Sequence, residues 1–271
     1  MNTCVIVCAG GFSGFIRPLD KTDYLLAADG GLAHLESLGL RPDGILGDFD
    51  SLGYIPTGAQ VFPVEKDDTD SMLAVRRGLA LGYRKFEIYG ALDGPRLDHT
   101  VANLQTLLFL TAQGASGHLI GKDYLVSSVR DGVLSFPATA TGIVSVFCLD
   151  GRARGVTIHG LQYGLEQGTL ESSYPLGVSN HFQGKPATVR VDDGTLLVVY
   201  DVANGFCTGE SLLSKMKRKK PTCIPRLKSC IPTRSVGCLP QRWLCAGKAA
   251  CITPPAEMPC PPPPRSWPST A

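Results

Sequence analysis

The stretch "YLLAADGGLAHLESLGLRPDGILGDFDS", residues 24–51, decides the fold. Its first five residues are a continuous apolar run closed by the breaker cluster Asp29-Gly30-Gly31. Leu32, Leu35 and Leu38 then recur at helical spacing until Gly39 stops the pattern. A second apolar run, "GILG" at 44–47, follows and gives way to Asp48-Phe49-Asp50. Two strands joined this closely through a helix run parallel, because the helix carries the chain back along the sheet.

The same alternation continues on both sides. "CVIVCA" (4–9) reads as a first strand and "VFPV" (61–64) as a short one. "TDSMLAVRRGLALG" (69–82) places Met72, Val75 and Leu79 on one helical face. "KFEIYG" (85–90) reads as a strand, and "HTVANLQTLLFLTAQG" (99–114) as a helix with Val101, Leu104, Leu107 and Leu108 inward. The pattern predicts an α/β fold: an open, mostly parallel, Rossmann-like sheet with helices on both faces, over residues 1–125. In such sheets ligands bind beyond the carboxyl ends of the strands.

From about residue 126 the rhythm changes to short β runs, "GVLSF", "GIVSVFCL", "GVTIHG", "ATVRV" and "TLLVVY". Asp131-Gly132, Asp150-Gly151 and Asp193-Gly194 punctuate them as turn signals. This predicts a small antiparallel β-sandwich domain over 126–207.

Residues 208–271 are a different kind of sequence. Residues 1–207 hold 15 Lys/Arg against 22 Asp/Glu, a net of −7, whereas 208–271 hold 11 against 2, a net of +9. The second segment also has 12 of the 20 prolines and 6 of the 10 cysteines, with no helix or strand period. Pro-rich basic sequence cannot bury enough apolar area to offset its ordering entropy, so a disordered tail is expected there. It contains no C-x-x-C pair and no histidine, which argues against a zinc module. Its charge is read as solvated rather than as a nucleic-acid or membrane arm. Cys4, Cys8, Cys148 and Cys207 sit in apolar runs and are read as buried thiols. "MNTCVIVCAGG" lacks a basic leader and reads as a strand, so a cytoplasmic protein is expected.

The acidic residues gather where strands end. If 45–50 is extended, Asp48 and Asp50 project to one side and Phe49 to the other. Asp29 ends the preceding strand, and "EKDDTDSM" adds Asp67, Asp68 and Asp70 where a strand gives way to a helix. A Mg²⁺ ion takes one or two carboxylates together with phosphate oxygens and water, so this grouping suits metal-assisted phosphoryl chemistry. The competing structural use is local, since Asp68 or Thr69 can cap the following helix. The loop "GALDGPRLDHTVANL" (90–104) adds Gly90 and Gly94 for close backbone approach and Arg96 for a two-point phosphate contact. Asp98 is suited to cap the helix, and His99 either braces the loop or takes part in acid–base work.

"AADGG", "RPDGILGDFDS", "KDDTD", "GALDGPRLDHTVANL", "GVTIHGL" and "LGVSN" occur in the order and spacing of thiamine pyrophosphokinases (thiamine diphosphokinases), the bacterial form in particular. The resemblance covers about residues 1–200 and leaves out the tail. It implies an enzyme that moves pyrophosphate from ATP to the thiamine hydroxyl, giving thiamine diphosphate and AMP with Mg²⁺. It also implies a homodimer whose thiamine site lies between one subunit's α/β domain and the other's sandwich. On the matching motifs, Asp48, Asp50 and Asp70 resemble the metal-binding carboxylates, and Asp70, Arg96 and Asp98 the catalytic group. Asp29, Gly30, Gly31, Asp68, Thr69, Gly94, His99, Ser179 and Asn180 are expected to border the nucleotide and thiamine. The family's loop reads "GGR", whereas this chain has "DGPR", with Asp93 and Pro95 in it.

Two other readings compete. One is a related pyrophosphokinase acting on another alcohol, such as a hydroxymethylpterin, against which "GVTIHGL" and "GVSN" argue. The other is a silent nucleotide- or thiamine-binding sensor, which would have no need of the metal carboxylates.

Overall fold

The computed structural model describes residues 2–50, 52–65 and 67–211. The segment expected to be a tail lies outside the described residues from 212 onward. The chain runs β1 (Cys4–Val7), β2 (Tyr24–Ala28), α1 (Gly31–Ser37), β3 (Gly44–Gly47), β4 (Gln60–Val61), α2 (Asp70–Ala80), β5 (Lys85–Tyr89), α3 (Leu97–Ala112) and β6 (Ser116–Ile120). There follow β7 (Tyr124–Phe136), β8 (Ile143–Phe147), β9 (Arg152–His159), β10 (Leu165–Glu171), β11 (Gly177–His181), β12 (Ala187–Asp201) and β13 (Thr208–Ser211). The fold is mixed α/β, with a large sheet and few helices.

Strands β6, β5, β1, β2, β3 and β4 lie side by side in that order, and every neighbouring pair is parallel. Alternation along β1 feeds two cores: Val5 and Val7 pack with Leu32 and Leu35 of α1, while Cys4 and Ile6 pack with Ala74 and Val75 of α2 and Leu107 and Leu110 of α3. Helices therefore cover both faces of the parallel strands.

Helix faces are rotated from the expected ones. Leu38 is 51% exposed and Val101 50%, whereas Ser71, Gly78, Asn103 and Thr106 are buried. The inward face of α3 includes a polar residue because Asn103 finds partners there: it accepts from Ser71 Oγ at 2.6 Å and donates to the Ala91 carbonyl at 2.8 Å.

Hydrogen bonding continues from β6 into β7, where pairing becomes antiparallel. The expected strands "GVLSF", "ATVRV" and "TLLVVY" are parts of two long strands, of 13 and 15 residues, paired along their lengths. Two of the turn signals bend these strands instead of ending them. Asp131 (φ 44°) and Gly194 (φ 111°) take left-handed backbone where the register slips between Val191 and Thr195, and Gly194 N–H donates to Asp131 Oδ1 at 3.0 Å. The first half of β12 then pairs with β9 and the second half with β8, so side chains from all these strands share one core. Strand β13 adds to the far part of β7, four residues past the expected boundary at 207. Among the described residues no helix is long and apolar enough to cross a membrane.

Candidate active site

A cleft of about 720 Å³ opens beyond the carboxyl ends of the parallel strands. Besides residues 8–10 after β1, four loops build it, and each contributes for a local reason. After β2, Asp29 turns into a left-handed conformation (φ 47°) while its N–H donates to Leu46 O at 2.8 Å, so it stays beside the end of β3 and is 9% exposed. After β3, Asp48 and Asp50 enter the same cleft.

The two aspartates do not converge through strand alternation. Strand β3 ends at Gly47, and the buried Phe49 has φ 60°, a conformation rare for an aromatic residue. Burying that ring on one side turns both flanking carboxylates to the other. Backbone strain held in this way is a mark of functional loops. One carboxylate oxygen each from Asp29, Asp48 and Asp50 lie within 4.8 Å of one another. Asp70 lines the cleft as well but is not a member of that close group.

The third loop leads into α2. Thr69 is its N-cap, with Oγ1 accepting from Met72 N–H at 3.3 Å, so the structural use expected of Thr69 is realised alongside its place in the cleft. Asp68 lines the cleft too and pairs with Arg76 at 2.7 Å. Cys8 lies at the floor; burial, with the charges of Asp70 and Asp29 adding to it, pushes its thiol up to about 12. It is therefore an inert wall.

The fourth loop carries Gly94 and Arg96 to the cleft, and the start of α3 carries His99 there. Arg96 itself occupies the N-cap position of α3, which corrects the expectation that Asp98 caps this helix. Asp98 sits in the first turn and accepts two hydrogen bonds from Arg96, from Nε at 3.2 Å and Nη2 at 2.5 Å. The shared contact holds the Asp98 carboxyl below the usual range and raises the arginine. Both side chains are about two-thirds exposed (65% and 64%), so the pair is accessible to an anion.

Gly30 and Gly31 do not line the cleft. Gly31 begins α1 against β1, where a Cβ would fall 1.9 Å from the Val7 carbonyl oxygen, so its role is packing. Ser179 and Asn180 lie on β11, also outside this cleft. Asn180 is buried and holds the 161–163 segment: Oδ1 accepts from Tyr163 N at 2.9 Å and Nδ2 donates to Tyr163 O at 2.7 Å. Sequence reasoning missed Ser71 and Asn103, which link α2, α3 and the Gly90 loop at the cleft floor. The available signal was spacing, since Asn103 is four residues beyond His99 and shares its helix face.

Two family models match the chain, the thiamin pyrophosphokinase catalytic domain over residues 15–116 and the thiamin pyrophosphokinase vitamin B1 binding domain over 134–196. Together they span more than half of it. The chain belongs to the thiamin pyrophosphokinase family. Solved thiamin pyrophosphokinase structures carry the same fold. The Bacillus subtilis enzyme is 22% identical, with 73% of this chain and 98% of that one covered and a TM-score of 0.63. A family protein from Enterococcus faecalis is 25% identical over 74% and 99%, with a TM-score of 0.63. The Candida albicans enzyme is 15% identical over 74% and 90%, with a TM-score of 0.58. No curated protein matches the chain in sequence. As a thiamin pyrophosphokinase family member, the protein is an enzyme that transfers pyrophosphate from ATP to thiamine. The catalytic-domain match contains all the cleft aspartates, and the vitamin B1 match contains Ser179 and Asn180.

Proposed function

We propose that thiamine diphosphate and AMP are made in the acidic cleft, with Mg²⁺ held by Asp48 and Asp50 and supported by Asp29 and Asp70. The observation that carries this reading is the approach of three carboxylate oxygens to within 4.8 Å of one another, in a cleft that the exposed Arg96 also lines. Such a set of hard oxygen donors fits Mg²⁺. The bound ion would neutralise charge on the phosphate oxygens of ATP.

The remaining work falls to the chain's own residues. Arg96 exchanges its contact with Asp98 for the planar two-point contact that a phosphate offers. Asp98 is tied to Arg96 and acidified by it, which weakens it as a proton acceptor, while Asp70 is better suited to supporting the metal. Thr69, Gly94 and His99 line the space left for nucleotide and thiamine, and the surplus of carboxylates suits a cationic substrate. Residues 1–125 act as the catalytic α/β domain and 126–207 as a thiamine-binding β-sandwich, a division supported by the separate family matches.

The reading extends to a cytoplasmic homodimer in which a second subunit's Ser179 and Asn180 border the cleft. Support comes from their position outside the cleft of their own chain and from the exposed apolar Tyr174, Leu176 and Val178 beside them. The test is to mix the protein with ATP, Mg²⁺ and thiamine and separate the products by chromatography. Thiamine diphosphate and AMP in equal amounts are expected. AMP only with a hydroxymethylpterin, or no AMP at all, overturns the assignment. Light scattering of the purified protein checks the dimer.

A further inference from the structure

The loop that presents Arg96 is tied to the rest of the molecule through Asp93, a residue that does not line the cleft. Asp93 Oδ2 accepts from Lys122 N–H at 2.6 Å. Lys122 lies in the turn between β6 and β7, where parallel pairing gives way to antiparallel pairing. That turn is closed by Gly121 N–H donating to Tyr124 O at 3.0 Å, and Val202 N–H, just past β12, donates to Asp123 O at 3.0 Å. On its other side the loop is bonded to the segment after β1: Gly10 N–H donates to Gly90 O at 2.9 Å and Gly11 N–H to Asp93 O at 3.1 Å. The backbone of Asp93 thus holds one neighbour and its carboxylate another. Gly94, Pro95 and Arg96 hang between this double anchor and the start of α3. The other half of the contact is the missing side chain at Gly121, where a Cβ would stand 2.9 Å from Asp93 Oδ2 and 3.2 Å from Tyr124 O.

We infer that Asp93 is a positioning residue for turnover, fixing the Arg96 loop to the turn that joins the two parts of the sheet. A backbone amide donating to a carboxylate is a charge-assisted bond and stronger than a neutral one. Small displacements of a group that meets the transferring phosphate are costly in rate. The inference rests on reading Arg96 as the phosphate-binding arginine.

The test compares the full-length protein with Asp93→Ala, Asp93→Asn and Gly121→Ala, using ATP, Mg²⁺ and thiamine. Asp93→Ala is expected to lower kcat/KM for ATP about tenfold, the scale of one charge-assisted hydrogen bond. Asp93→Asn keeps an oxygen acceptor and is expected to restore most of it. Gly121→Ala displaces the carboxylate and is expected to act in the same direction, with little further loss when added to Asp93→Ala. Amide hydrogen exchange over 94–97 and 121–124 is expected to speed up in the alanine variants and not in Asp93→Asn, with β12 unchanged. Wild-type kcat/KM in Asp93→Ala, or equal damage from alanine and asparagine, overturns the inference. If the wild-type protein forms no thiamine diphosphate, the reading of Arg96 fails first. Exchange at 94–97 then still decides whether Asp93 holds the loop, and unchanged exchange there overturns it.

Discussion

At the amino ends of the parallel strands, Asp23 and Asp43 accept hydrogen bonds from strand backbone, from Thr3 N at 3.3 Å and Leu25 N at 2.8 Å. Asp23 also meets Arg17 at 2.7 Å, and the same arginine reaches the buried Glu87 at 2.7 Å. At the carboxyl ends of those strands, Asp29, Asp48 and Asp50 bring their oxygens together instead. The residue type is the same and the strands are the same. What differs is the environment: at one end Arg17 lies between two carboxylates and backbone donors meet Asp23 and Asp43, and at the other three carboxylates converge in a cleft. The first arrangement stabilises the fold; on the proposed reading, the second would be stabilised by a bound cation.

The sharpest way to break this comparison is to exchange roles at both ends. Asp50→Asn is expected to cut kcat by roughly 10²–10³, in the range of a lost transition-state electrostatic contact. Its thermal unfolding midpoint should not fall, because a like charge is removed. Activity near the wild-type level would place the chemistry elsewhere. Arg17→Ala should do the reverse. Leaving two buried carboxylates without their cation costs about 3 kcal/mol in urea unfolding, while activity per folded molecule is retained.

A third test asks whether a strongly shifted group must be functional. His118 on β6 is bonded through Nδ1 to Ser127 Oγ at 2.7 Å, and Ser127 in turn to Tyr200 OH at 2.9 Å, away from the cleft. Burial, with the charge of Lys85 adding to it, pushes its imidazole down from 6.5 to about 4. The unfolded chain therefore takes up this proton at higher pH than the folded one. The stabilisation is complete above 6.5 and is lost as the pH falls from 6.5 toward 4, on the order of 3 kcal/mol in all. Urea midpoints measured across that range should fall in the wild type and flatten in His118→Gln, with no change in the products formed. The smallest effect is expected for Asp43→Ala, where one acceptor for Leu25 N–H is lost at about 1 kcal/mol.

Legibility followed the same line between local and distant causes. The strands of the parallel half and the position of the acidic loops were readable because apolar runs and breaker clusters are local. Val101 was misplaced because Asn103 takes the inward position on α3, an outcome set by its partners Ser71 and Ala91 on other elements. Asp131-Gly132 and Asp193-Gly194 look like turns in isolation, yet facing each other across β7 and β12 they become a shared bend. Asp93 stood out only as a departure from the family loop, and nothing in its neighbours points to Lys122.

By itself, the sequence determined that carboxylates would stand at the ends of parallel strands and that an arginine loop would precede the last helix of that half. Periodicity and turn chemistry are enough for this, since they act over a few residues. The tertiary structure decided which oxygens meet. Asp48 and Asp50 converge because Phe49 is buried in a left-handed turn, and Asp29 joins them because its N–H is held by Leu46 on the next strand. Those choices depend on what packs under a ring and which strand lies alongside, and a linear pattern carries neither.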